Sequence, residues 1–168
     1  MENVTVEWEK LISFDAIVQI KNELLDEERG LYAIITGKVD SENNIKDRKL
    51  QYIGLAYKQT LRERILQGDT HPAYKKIDAY IKKHPDYKVY VRLGNITSKI
   101  QQNDSEKLYK DVEACLIYDN QPPANTQNNE SYNGREIKII NHGVHVPLKD
   151  VSDSSLFENE TKELYFRY

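Results

Sequence analysis

Two stretches decide how this chain is read: Gly30-Leu-Tyr-Ala-Ile-Ile-Thr-Gly-Lys-Val39 and Leu50-Gln-Tyr-Ile-Gly-Leu-Ala-Tyr57. Both are rich in β-branched and aromatic residues, which pack well on a pleated surface, so both predict strands. Residues 40–48 between them are polar and turn-forming. The simplest arrangement is an antiparallel hairpin with a long loop. The first strand begins with Gly30-Leu31-Tyr32 and the second contains Tyr52-Ile53-Gly54, similar trios in reverse order. On composition alone, two such trios at this spacing arise by chance about a few times per thousand chains of this size. Aromatic strand residues beside turn glycines therefore remain a sufficient account of the trios taken alone.

Working outward, Phe14, Ile17, Val18, Leu24 and Leu25 recur at helical spacing behind Ser13, which predicts an N-terminal amphipathic helix over 13–25. After the hairpin, Leu61 and Ile65 share one face of a short helix, and the Gly68-Asp-Thr-His-Pro72 break ends it. A second helix starts at Ala73, with Tyr74, Ile77, Tyr80 and Ile81 apolar, and residues 87–94 alternate as a strand. Leu108, Val112, Cys115 and Leu116 make a helical stripe, with Asn103 or Asp104 as its expected cap and Pro122-Pro123 beyond its end. An Asn/Gln-rich loop covers 120–134. Residues 136–148 then predict a hairpin turning at Asn141-His-Gly143, and the tail from Ser154 a short helix.

At 168 residues the chain is expected to form one domain with a proper core. Its 30% charged residues, mean hydropathy of -0.74 and lack of a long apolar run predict no membrane span. The acidic start Met1-Glu-Asn-Val-Thr5 does not resemble a secretory signal. The single cysteine, Cys115, can form no internal disulfide and joins no metal-ligand spacing, which fits a reducing, cytoplasmic setting. Net charge is -3, but residues 46–92 hold twelve basic side chains against five acidic ones and carry +7, leaving -10 elsewhere. Such a stretch is either a solvated helix face or the electrostatic footprint of a polyanion.

Taken in order, five motifs resemble the GIY-YIG nuclease superfamily: Gly30-Leu31-Tyr32, Tyr52-Ile53-Gly54, Arg64, Glu113 and Asn125. They fall on predicted strand, strand, helix, helix and loop, and cover about residues 30–128. Leu31 replaces the isoleucine of the family name. The step from Gly54 to the arginine is about two residues longer than usual, so Arg62 and Arg64 compete for one role. Arg64 precedes Ile65 in the family's L-x-x-R-(I/V) pattern and is chosen; Arg62 is expected to face solvent or a DNA phosphate.

The fold expected is α+β: a small, mainly antiparallel three-stranded central sheet flanked by helices, with a C-terminal β-hairpin and tail over 135–168. The activity the resemblance implies is endonucleolytic hydrolysis of DNA with one divalent cation, Mg²⁺ or Mn²⁺. Glu113 would be the carboxylate ligand, since hard cations take oxygen donors and keep several waters. Arg64 would grip the scissile phosphate with its always-charged planar fork. Tyr32 is expected to accept a proton from the attacking water or to orient it, and Tyr52 to hydrogen-bond to the site. A phenol near pKa 10 needs a neighbouring cation before it can act as a base. Asn125 would brace the Glu113 region. Lys58, His71 and Arg62 are candidate helpers. Arg62, Lys75, Lys76, Lys82 and Lys83 are candidate DNA contacts. No histidine set for a metal is apparent. The size fits a compact restriction-type enzyme acting as a homodimer, or a phage or mobile-element nuclease. The alternative is an inactive nucleic-acid-binding module of the same fold.

Overall fold

The structure is a computed structural model, and it describes residues 1–98 and 105–157. Its strands are β1 (Glu2–Trp8), β2 (Ile12–Ser13), β3 (Arg29–Val39), β4 (Ile45–Tyr57), β5 (Tyr87–Ile96), β6 (Ile137–Gly143) and β7 (Val151–Asp153). Its helices are α1 (Leu61–Leu66), α2 (Pro72–Lys83) and α3 (Ser105–Asn120). All seven strands join one curled, mixed sheet in the order β4-β3-β5-β1-β6-β7, with β2 also on β5. The expected three-stranded sheet is therefore corrected. The hairpin β3–β4 and strand β5 do pair antiparallel, but they form only one part of a larger sheet.

The extra strands come from both ends of the chain. In β1, Val4, Val6 and Trp8 are buried at period two, and the strand pairs antiparallel with β5 and parallel with β6. β6 does not turn at Asn141-His-Gly143, as the sequence predicts. It stays paired with β1 through Gly143, and its antiparallel partner is β7. Asn141 cannot turn outward because it is buried, where its Oδ1 accepts from Trp8 Nε1 at 2.8 Å.

The N-terminal helix over 13–25 is also corrected: only two 3-10 turns form, at Phe14–Ala16 and Leu24–Asp26. Asn22 explains the interruption, since its Oδ1 accepts from the amides of Leu24 at 2.9 Å and Leu25 at 3.2 Å. Such local side-chain bonds compete with a helical ladder. Ile17 and Leu25 still reach the core. The expected cap at Asn103 or Asp104, and the tail beyond Phe157, lie outside the described residues.

Alternation along β3 builds two cores. Leu31, Ala33 and Ile35 face α3, whose stripe of Leu108, Val112, Cys115 and Leu116 is buried against them. Tyr32 and Ile34 face the other way and pack with Leu61 and Ile65 of α1 and Ala73 and Ile77 of α2. The two motif tyrosines thus lie on the α1–α2 face.

Candidate active site

Register determines how the two trios meet. Gly30 pairs with Ala56, Tyr32 with Gly54 and Ile34 with Tyr52 across β3 and β4. Residues two apart on a strand share a face, so both phenols project together. Their rings lie 5.8 Å apart with a 46° tilt. Gly54 is required by this arrangement, because a Cβ there would sit 2.5 Å from Tyr32 Cζ. Gly30 serves helix packing instead. A Cβ there would sit 2.6 Å from Leu61 Cδ1, so its absence lets α1 close onto the sheet.

A cleft of about 310 Å³ opens beside β4, the edge strand, lined by Tyr52, Arg64, His71, Glu113 and Asn125 among others. Arg64 comes from α1, a helix started by a capping box in which Thr60 and Glu63 bond each other's backbone amides. Glu113 comes from the middle of α3. His71 stands at the head of α2, in extended conformation before Pro72 at the first helical position.

Asn125 reaches the site through the edge of β4. Its Oδ1 accepts from Ile53 N at 2.9 Å and its Nδ2 donates to Ile53 O at 2.8 Å, so one side chain replaces a neighbouring strand. Ala124 N adds a bond to Gln51 O at 2.8 Å. Asn125 therefore fixes the Tyr52-Ile53-Gly54 backbone directly, not the glutamate region first.

The two arginines separate cleanly. Arg62 points away from the cleft into the 12–26 segment, donating to Asp26 Oδ1 at 2.9 Å, to Ile20 O at 2.9 Å and to Ile17 O. It holds the chain where the expected helix would have run, and does not face solvent or a phosphate as expected from sequence. Arg64 makes no ion pair among the described residues. Its guanidinium lies beside the Tyr52 hydroxyl, and its Nε is buried without a partner.

Glu113 is partly buried, and its carboxylate has no hydrogen bond or ion pair among the described residues. Burial pushes its pKa up to about 7, against the opposing pull of Arg64 and Lys110. Both phenols are shifted upward too. Burial raises Tyr32 well above the ordinary tyrosine value, with Tyr52 and Tyr74 adding to it. Burial and then the Glu113 charge raise Tyr52, while Arg64 opposes. Tyr32 is 1% exposed and stands behind Tyr52, which forms the cleft wall. Of the two phenols, Tyr52 is thus the one that the cleft presents.

Lys58 is not in this cleft. It is exposed, pairs with Glu106 at 3.6 Å, and lines a separate groove with Asp26, Glu27 and Glu28. Lys75, Lys76, Lys82 and Lys83 are exposed on α2. At 100° per residue they occupy about one third of its circumference, opposite the buried Ala73 and Ile77. Thr126, Gln127 and Asn128 also line the cleft, and the sequence motifs do not include them. The run of amides after the two prolines was the available signal.

Comparison of the chain with family models, curated proteins and solved structures returned no match. Among the described residues no helix is long and apolar enough to cross a membrane, and no group of three or more His, Cys, Asp or Glu could hold a metal ion.

Proposed function

We propose that this chain is a divalent-metal-dependent endonuclease hydrolysing DNA phosphodiester bonds, the activity that its resemblance to the GIY-YIG superfamily implies. One observation carries the reading: Arg64 and Glu113 share a cleft without pairing with each other. Opposite charges withdrawn from water normally satisfy one another, because an unpaired charge in such surroundings is expensive. Two unpaired charges held apart around a cavity fit a third party bearing both signs. A phosphodiester with a divalent cation is such a party.

The donor chemistry fits a hard cation. Glu113 offers one desolvated carboxylate, and Mg²⁺ or Mn²⁺ can be held by one or two carboxylates with waters and substrate oxygens. When bound, the cation would stabilise developing charge on the phosphate and acidify a water. Arg64 would bind the non-bridging oxygens. The Tyr52 hydroxyl, raised in pKa, would orient water as a neutral group. Asn125 would keep Tyr52 in place through the Ile53 backbone.

A polynucleotide is favoured because α2 runs for about 18 Å from His71 at the cleft with its four lysines exposed, and DNA is the polymer that the resemblance implies. Phosphate contacts of this kind bind without sequence preference and weaken with salt. Action as a cytoplasmic homodimer belongs to the same proposal, and sedimentation at working concentration tests the assembly.

The deciding experiment incubates supercoiled plasmid with purified protein and Mg²⁺ or Mn²⁺, beside EDTA and Glu113→Ala controls. Nicking or linearisation that both controls abolish is expected. Cleavage that survives EDTA, or persists in the variant, removes the metal assignment. Binding to single-stranded, duplex and branched DNA without cleavage of any supports the inactive module.

A further inference from the structure

His71 uses its two ring nitrogens differently. Its Nδ1 accepts a hydrogen bond from Ala73 N at 3.2 Å, capping α2. An acceptor nitrogen carries no proton, so the neutral ring must hold its proton on Nε2. The Nε2 atom has no hydrogen-bond partner among the described residues, and the residue lines the cleft with Arg64, Tyr52 and Glu113. The ring is also fenced. Tyr52 lies 5.6 Å away at 69° and Tyr74 6.2 Å away at 74°, both edge-on. Tyr74 is itself anchored by its hydroxyl, which donates to Ile65 O at 2.8 Å. A flipped imidazole would turn a carbon toward the Ala73 amide and lose the cap.

We propose that His71 meets the substrate phosphate as a neutral imidazole donating from Nε2, in a tautomer that the helix cap imposes. This rests on the nuclease reading of the same cleft. It assigns His71 a donor role beside Arg64 and excludes it as the general base, because the lone pair that a base needs is committed to the Ala73 amide. No proton is transferred: Nε2–H hydrogen-bonds a non-bridging phosphate oxygen and the proton stays on nitrogen. The cap thereby links the start of α2 to the chemistry, since the bond that begins the helix also decides which end of the ring faces the substrate.

Two substitutions divide the roles. Asparagine is among the best capping residues but is too short to reproduce Nε2, so His71→Asn keeps the cap and loses the donor. Glutamine places an amide N–H near the Nε2 position but caps poorly, so His71→Gln keeps the donor and loses the cap. The expected result is an unchanged melting temperature with cleavage slowed about 10²-fold for His71→Asn, the usual effect of deleting one such donor. His71→Gln should melt earlier yet cleave within about tenfold of the parent. An Asn variant cleaving at the parent rate overturns the proposal and leaves His71 a helix cap only.

A second readout does not depend on cleavage. Long-range ¹H–¹⁵N spectra of the full chain should show His71 as the Nε2–H tautomer, and its Nε2 resonance should move when inorganic phosphate is added. The opposite tautomer, or a resonance that phosphate leaves in place, overturns the donor assignment. If these spectral results hold while the parent cleaves no DNA, the nuclease reading fails and the phosphate-donor assignment stands.

Discussion

The phenol of Tyr32 occupies the place where a side chain on Gly54 would begin, with ring and hydroxyl atoms 2.5–2.6 Å from that position. Tyr32 is buried, so its ring cannot swing clear without disturbing the α1–α2 core. Gly54→Ala is expected to destabilise the protein by about 1–3 kcal/mol, the usual range for overpacking. In a Tyr32→Leu background the same change should lose most of that effect, because the two sites are in contact and couple. Denaturant midpoints of the four proteins in the cycle provide the test. Additive effects would mean that the close approach is relieved elsewhere.

The bond between Asn125 and the Ile53 backbone predicts a local effect as well as a global one. Asn125→Ala leaves a buried amide and carbonyl of β4 without their partners, which should destabilise by about 1–3 kcal/mol. Asn125→Asp keeps the acceptor for Ile53 N but sets an oxygen against Ile53 O, and should be at least as damaging. Hydrogen exchange at the Ile53 amide should accelerate in both variants. Unchanged protection at that amide would show that β4 holds its edge without Asn125.

Arg62 and Arg64, two positions apart on a single helix, should respond in opposite ways. Arg62 ties α1 to the 12–26 segment through three groups, so Arg62→Ala should lower stability by about 1–3 kcal/mol, the range for bonds to a charged donor. Arg64 has no ion pair of this kind among the described residues, and its guanidinium meets only the Tyr52 hydroxyl. Arg64→Ala should therefore unfold near the parent temperature while losing cleavage by about 10²–10³-fold. Thermal melts beside plasmid cleavage separate the two. A stable, inactive Arg62→Ala would reverse the assignment.

What could be read from sequence was what local pattern encodes. The hairpin of β3 and β4, the two short helices after it, strand β5 and the stripe on α3 all have apolar periods set by neighbours in the chain. The parallel pairing of β1 with β6 has no such signature, since its partners, such as Glu2 and Ile137, lie far apart in the chain. The alternation of Val4, Val6 and Trp8 was present but gave no clue to its partner strand. Around 13–25 helical spacing misled, because it marks which residues reach the core and not the path between them. Asn22 and Arg62 take up the backbone groups that a helix would need. Within the site, residue types and order were legible from the motifs. The depth of Tyr32, the bond from Asn125 to Ile53 and the inward turn of Arg62 depend on register and packing, which emerge only when distant segments meet.

Glu113 gives the last prediction, one of pH and metal together. Its folded pKa of about 7 lies above the ordinary carboxylate value of 4.5, so the folded chain holds its proton more tightly than the unfolded chain. Below pH 4.5 both states are protonated and the group is neutral in effect. Stability then falls as pH rises from 4.5 to 7, and the full penalty is present above 7. A shift of this size corresponds to at most about 3 kcal/mol, and partial exposure reduces it to about 1–2 kcal/mol. Glu113→Gln should therefore be more stable than the parent by that amount at about pH 8 and no different at about pH 4. Mg²⁺ should stabilise the parent at the higher pH by about 1.4 kcal/mol at about ten times its dissociation constant, and leave the Gln variant unmoved. Chemical denaturation at the two pH values, with and without the metal, makes the comparison. A stability difference independent of pH would rule out the buried-carboxylate account, and equal metal stabilisation of both proteins would place the cation elsewhere.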